Sequence, residues 1–231
     1  MHAESFLDST TDLAPFTQVV KSRRTNLLMD RDRGVEETVV AELLELIRWA
    51  PNHKRTWPWQ VAVFTGASRG ALGEACATDA LALGITDEVK LTKIRGKYNR
   101  APVMIAVGQV GFLGTRDQPT EDQPTGLNQL NQLNGLNGLN DLNRLTEGAD
   151  AHRVGEDRDA VAAGIQNFLL GATAVGLASY WGSATDPFGT ELLSLCGFAN
   201  TSRVNALIYL GWPASEQVAP LRPELPVTWL R

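Results

Sequence analysis

The sequence predicts an α+β or α/β domain in which helices pack around one sheet. Two patterns indicate this class: apolar residues at helical spacing in some segments, and alternating or continuously apolar runs in others. The helical segments are 35–50 and 157–176, and the extended segments are 59–65, 102–110, 177–181 and 203–210. Because both kinds of segment interleave along the chain, helices and strands are expected to share one core.

The first predicted helix covers residues 35–50, with Glu36 and Glu37 in the acid-favouring first turn and Pro51 ending it. Residues 59–65 alternate and stop at Gly66, which indicates a strand.

Ser68 is the predicted N-cap of a helix that runs through Ala77. Residues 102–110 are apolar enough for a buried strand. The longest helix is predicted over 157–176, followed by a strand over 177–181.

Another helix is expected to begin at Asp186–Pro187, in N-cap and N1 order, and to close near Gly197. Residues 203–210 alternate again and predict the last strand.

Length and composition favour a globular protein. The 231 residues fall between one and two domains at about 150 residues per domain. Hydrophobic residues make up 43% of the chain, enough for a sizeable core. The net charge of −5 argues against a nucleic-acid binder, which normally presents a basic face.

Several other classes are disfavoured by what the chain contains. Two distant cysteines, Cys76 and Cys196, indicate buried free thiols and exclude a disulfide scaffold or a four-cysteine zinc site. The three histidines lack ligand spacing, so no metal site is expected. The acidic N-terminal residues 1–16 do not form a secretory signal, and no stretch reaches membrane-helix length. We expect a soluble cytoplasmic protein that binds neither membranes nor nucleic acid.

Residues 113–150 differ from the rest in composition. Leucine recurs at every third position from Leu127 to Leu145, and asparagine follows each of the first six. A period of three spirals around a helix and makes no apolar stripe, whereas coiled coils need heptads and solenoids need longer units. We expect a low-complexity Leu-Asn insertion, mobile at the surface of a single domain covering 1–231. Without it the remaining chain carries a charge of −1.

Three segments contain residue types suited to ligand binding. Lys21–Thr25 places adjacent arginines beside a hydroxyl, which suits a phosphate, although such a basic run is also typical of a solvated helix end. Residues 48–59 combine three tryptophans with His53 and other donors, which suits a flat heteroaromatic ligand. Alternatively, Trp57 and Trp59 belong to the core and His53 is a helix-end residue. Residues 176–186 form a small-residue loop after a strand, either for close backbone approach to a ligand or as an ordinary connection.

No nucleophile elbow or metal cluster accompanies these segments, so the chemistry is expected to belong to a bound cofactor. Taken in order, the segments resemble the nitroreductase family of FMN-dependent NAD(P)H oxidoreductases, closest to its small single-domain branch. The matching motifs are Arg23-Arg24-Thr25, Ala50-Pro-Asn-His-Lys54 with Pro58-Trp59, Gly176-Leu with Trp181-Gly-Ser183, and Ile208-Tyr-Leu-Gly-Trp-Pro213.

The resemblance implies an α+β fold with a central mixed, mainly antiparallel sheet flanked by helices, in a homodimer with FMN at the subunit interface. It implies FMN-binding roles for the following residues: Arg23, Arg24 and Thr25 at the phosphate and ribityl chain, His53 at the flavin edge, Trp181, Gly182 and Ser183 along the isoalloxazine, and Arg222 as a second phosphate-binding base. No side chain is assigned as catalytic, because the flavin carries the chemistry.

The resemblance also implies an activity: NADPH or NADH reduces the flavin, and a nitroaromatic, quinone or similar small electron acceptor reoxidises it in a ping-pong cycle. Two alternatives stay open: a specialised relative that fragments flavin or removes a halogen reductively, and a flavin-binding or interaction protein with little turnover. The sequence departs from the family pattern at Trp57, where glutamine is usual, and at Trp49, which can be basic in close relatives. Both changes remove polar contacts.

Overall fold

A four-stranded antiparallel sheet forms the centre of the computed structural model, which describes residues 13–111 and 149–230. The strands are β1 (Trp59–Thr65), β2 (Val103–Gln109), β3 (Ala178–Gly182) and β4 (Arg203–Gly211), in the spatial order β1-β2-β4-β3. β1 and β3 are therefore the two edges. The predicted Leu-Asn insertion at 113–150 lies outside the described residues, apart from its last two positions.

Six α-helices are described around this sheet. They are α1 (Leu13–Ser22), α2 (Glu37–Glu45), α3 (Ser68–Ala82), α4 (Glu88–Lys97), α5 (Ala149–Ala174) and α6 (Thr190–Cys196), with 3-10 turns at Leu46–Trp49, His53–Arg55 and Tyr98–Arg100. The predicted α+β class, with helices flanking one mainly antiparallel sheet, is confirmed.

Apolar cores cover both faces of the sheet, and β2 is buried along its whole length. Met104 and Ala106 pack into the core that also contains side chains of α3 and α6. The alternate residues Val103, Ile105 and Val107 pack into the core formed with α2 and α5. This alternation follows from the two-residue period of a strand. It explains why the segment is continuously apolar in sequence.

Two helix starts differ from the prediction, because neither Ser68 nor Asp186 caps a helix. Ser68 is the first helical residue of α3 and makes no cap; its hydroxyl bonds instead with the backbone of Thr65. Asp186 does not begin a helix. Its Oδ1 accepts a hydrogen bond from the Phe188 backbone N–H in a turn, and α6 begins at Thr190. Gly197 does end α6, in the left-handed conformation that favours glycine.

The two cysteines are free: Cys76 is buried and Cys196 is partly buried. Burial raises the pKa of the Cys76 thiol and raises that of Cys196 to about 12. Both thiols are therefore protonated at neutral pH, as expected of structural cysteines.

Candidate functional site

The basic segment Arg23–Thr25 follows directly on the C-terminus of α1. The Arg24 Nη1 donates to the carbonyls of Lys21 at 2.6 Å and Arg23 at 2.8 Å, and so satisfies groups that the helix end leaves unpaired. The Arg24 Nε is buried and has no hydrogen-bond partner among the described residues. A buried guanidinium N–H without an acceptor is suited to an anionic ligand.

A cavity of about 710 Å³ lies beside this segment. Ser22, Arg24 and Asn26 line it on one side, and the last turn of α5 and residues 213–217 line the other. Arg23 and Thr25, the alternate residues, are not among its lining residues. The structure therefore places Arg24 against the cavity and separates it from the other two predicted phosphate-binding residues.

Backbone pairing joins the basic segment to the sheet edge. Thr25 forms an isolated parallel bridge with Ser179 of β3, and the Asn26 N–H donates to the Ser179 carbonyl at 3.1 Å. The Asn26 Nδ2 also donates to the carbonyl of Ser215 at 3.2 Å. Trp181 lies two residues beyond Ser179, about 7 Å along the strand. Two of the three sequence-predicted segments therefore meet at one edge of the sheet.

The end of β3 presents Trp181 and Ser183 to solvent and buries Gly182 between them. A Cβ at Gly182 would lie 3.0 Å from the Leu207 carbonyl oxygen and 3.1 Å from the rings of Tyr180 and Tyr209. Glycine therefore allows β3 to approach β4 closely here.

The loop after Ser183 is anchored by Asp79 of α3, a residue that the sequence analysis missed. Its Oδ1 accepts from the Glu191 N–H at 3.0 Å and its Oδ2 from the Leu192 N–H at 2.9 Å, at the N-terminus of α6. Burial raises the pKa of the Asp79 carboxyl. Its partners are more than a hundred residues away in sequence, so no local motif could have revealed this cap.

His53 lies on the 3-10 turn before β1. Its side chain is 57% exposed, and its Nε2 lies 4.0 Å from the Glu156 Oε2 of α5. Lys54, Arg55 and Trp57 in this loop have positive φ angles of 54°, 53° and 49°. Left-handed backbone costs about 1–2 kcal/mol for an ordinary L residue, so surrounding contacts must hold it.

Those contacts form a chain of hydrogen bonds, which we call the Asn52 network: Asn52, Thr56 and Asp157. The Asn52 Oδ1 accepts from the Trp57 backbone N–H at 2.8 Å, and its Nδ2 donates to the Thr56 Oγ1 at 2.9 Å. The Thr56 hydroxyl in turn donates to Asp157 of α5, a carboxylate that is only 7% exposed. The network fixes the loop that carries His53.

His53 and the Arg23–Thr25 segment lie at opposite edges of the sheet. His53 precedes β1, whereas Thr25 bridges to β3, which is three strand spacings or about 14 Å away. Arg222 is exposed on residues 214–230, which form neither helix nor strand. One chain therefore brings together Arg23–Thr25 and Trp181–Ser183, and does not bring His53 to them.

The tryptophans divide between core and surface. Trp59 is partly buried against the core, and its indole N–H donates to the Ala160 carbonyl at 3.1 Å. Trp57 is 57% exposed, which overturns the alternative that both residues belong to the core.

Among residues 13–111 and 149–230, no cluster of three or more histidine, cysteine, aspartate or glutamate side chains could hold a metal ion. Within the same residues, no helix has the length and apolar character needed to cross a membrane.

Comparisons with known proteins identify the family and the fold. The sequence model described as the nitroreductase family matches residues 20–212. Nitroreductase NfnB of Mycolicibacterium smegmatis is 40% identical over 70 residues, a match that spans only 30% of each chain.

Solved structures share the fold along nearly the whole chain. A nitroreductase-like family protein from Bacillus cereus superimposes with a TM-score of 0.65 at 21% identity, covering 96% of this chain and 95% of its own. A nitroreductase with bound FMN from Bacteroides fragilis superimposes with a TM-score of 0.61 at 17% identity, covering 93% of this chain and 98% of its own. Since the family model covers most of the sequence, the chain belongs to the nitroreductase family.

Proposed function

We propose that the chain is an FMN-dependent oxidoreductase that uses NADPH or NADH to reduce small acceptors such as nitroaromatics and quinones. The observation that carries the proposal is the Thr25–Ser179 bridge, because it joins the basic segment to the strand that ends in Trp181, Gly182 and Ser183. The FMN bound to the structural relative from Bacteroides fragilis supports the same cofactor. When bound, FMN supplies the hydride chemistry in both halves of a ping-pong cycle.

The residues of this chain bind the FMN and orient it. The basic segment holds the phosphate and the ribityl chain, either through Arg24 from the cavity side, with its buried Nε as one donor, or through Arg23 and Thr25 from outside the cavity. Trp181 and the backbone at 182–183 line the flavin ring, and a backbone N–H of this loop donates to its reactive nitrogen. Orientation and shielding from water are the protein's contribution, and no side chain is assigned a catalytic role.

We further propose a homodimer in which each flavin contacts both copies. His53 lies too far from the Thr25 edge in one chain, so a second copy supplies it. Arg222 stays proposed as a second phosphate-binding base. Exposed apolar side chains support an extended interface of this kind. They are Leu13, Phe16 and Val20 on α1, and Leu221, Leu225, Val227, Trp229 and Leu230 after β4.

Mixed dimers test the activity and the shared site together. The double variant Arg23→Ala/Arg24→Ala and the variant His53→Ala are each expected to lose most NADPH-driven reduction of menadione at limiting FMN. After subunit exchange in an equal mixture, about a quarter of wild-type activity should return, since half of the dimers are mixed and each carries one intact site.

Each variant put through the exchange step alone is the control. A mixture no more active than the mean of its components would contradict the shared site. A wild-type protein that is inactive with both NADPH and NADH would contradict the reductase. A protein that retains FMN without turnover would instead indicate a flavin-binding protein, and loss of halide or fragmentation of FMN would indicate a specialised relative.

A further inference from the structure

Trp57 differs from the other exposed aromatic residues because its backbone conformation is energetically costly and is held by hydrogen bonds. Lys54, Arg55 and Trp57 are the non-glycine residues with positive φ in the described part of the chain, and all three lie in one loop. A bulky side chain rarely adopts this conformation. Strain of this kind is concentrated at functional sites.

The position of the Trp57 side chain is determined from two sides. Its backbone N–H is bound by Asn52, which the Asn52 network ties to the buried Asp157 carboxylate. Its ring lies 6.0 Å from the ring of Trp59 at an interplanar angle of 55°, and Trp59 is itself fixed by its hydrogen bond to Ala160. The indole is therefore preorganised.

Despite this support, 57% of Trp57 stays exposed. A rigid, exposed indole offers a flat apolar surface on which another aromatic ring can stack with an offset. The same loop carries His53 four residues earlier, and His53 lies at the flavin edge under the proposed function. Under that function, Trp57 belongs to the loop that borders the flavin.

We propose that Trp57 determines substrate specificity by stacking against planar aromatic acceptors. The inference rests on the proposed function and adds a substrate class to it: fused-ring quinones and nitroaromatics are preferred to small acceptors without a ring. The preference arises in binding, because stacking acts on the bound acceptor and contributes nothing to hydride transfer itself.

The test compares two acceptors in the FMN-loaded enzyme, planar menadione and non-aromatic ferricyanide. Trp57→Gln should raise the KM for menadione by about tenfold with kcat nearly unchanged. In Trp57→Leu, which adds no polar group beside the flavin, the kinetic constants for ferricyanide should stay as in the wild type. Trp57→Phe should retain most of the menadione preference, and Trp57→Leu should lose it, which separates ring stacking from apolar contact.

Trp49→Gln is the matched control, since Trp49 is also an exposed tryptophan, on the preceding 3-10 turn. Any effect of Trp49→Gln on the flavin should change the kinetic constants for both acceptors alike. A readout without turnover is calorimetric binding of naphthoate to the oxidised FMN-loaded protein, whose Kd should rise about tenfold in Trp57→Gln.

Equal changes for both acceptors in Trp57→Leu, or an unchanged naphthoate Kd in Trp57→Gln, would overturn the role of Trp57 and leave the reductase standing. Wild-type protein that holds FMN but reduces neither acceptor would overturn the proposed function, and this inference with it. If Trp57→Gln does not fold, the comparison of Trp57→Leu with Trp57→Phe decides in its place.

Discussion

Replacing Arg23 and Arg24 together by alanine is expected to weaken FMN binding by about 30- to 1000-fold. Hydrogen bonds from charged groups contribute about 1.5–3 kcal/mol each, and two guanidiniums at one phosphate do not add fully. The Arg24 Nε is buried and has no hydrogen-bond partner among the described residues, so donating to a phosphate would satisfy it without breaking a bond described there. Fluorescence titration of FMN into the apoprotein measures the loss.

The control for net charge removes two exposed lysines of α4, in the variant Lys90→Ala/Lys93→Ala. It should leave FMN affinity within about twofold. Circular dichroism should show the double arginine variant folded, with at most fraying at the end of α1. Unchanged FMN affinity in that variant would refute the phosphate assignment. If the double variant does lose affinity, the two single variants show whether Arg24, on the cavity, or Arg23, outside it, binds the phosphate.

Gly73→Ala is expected to destabilise the protein by about 3 kcal/mol, because the added Cβ overpacks the contact between α3 and α4. This Cβ would lie 2.1 Å from the backbone carbonyl oxygen of Arg95. Backbone atoms cannot rotate away as a flexible side chain can, so the two helices must separate. Ala77, Ala80 and Leu91 form the small core between these helices and would lose packing.

Gly70→Ala, in the same helix, is the matched control, since a Cβ there meets nothing within 4 Å. It should stabilise the protein by up to about 1 kcal/mol through helix propensity. Urea unfolding measures both variants. Equal stability of the two would contradict the close approach of α3 and α4.

Local patterns predicted the strands better than the helix ends. Residues 59–65 were predicted as a strand, and β1 covers Trp59–Thr65. The alternation of a strand is carried by its own residues, which is why it can be recognised in sequence. α6, in contrast, begins where Asp79 of a distant helix accepts its N–H groups, and the prediction from Asp186 was wrong. Helices α1 and α4 were not predicted. α1 has Leu13, Phe16 and Val20 at helical spacing but buries none of its residues in this chain.

In the candidate site, too, local residue patterns were recognised and contacts between distant segments were not. The Arg23–Thr25 and Trp181–Ser183 segments were recognised from their residue types and the family resemblance, and pairing at Thr25 and Ser179 joins them. The separation of Arg24 from Arg23 depends on where the chain runs after α1, which residue type alone does not specify. The Asn52 network depends on contact between a loop and α5 about a hundred residues later, so only the folded chain reveals it.

The most direct test of an FMN-dependent oxidoreductase is the visible absorption spectrum of the purified protein, recorded without oxygen before and after addition of NADPH or NADH. We expect a yellow protein whose flavin band is bleached by at least one of the two reductants and restored by a quinone. A yellow protein that neither reductant bleaches would contradict the oxidoreductase. A colourless protein that takes up no added FMN would contradict the flavin site altogether.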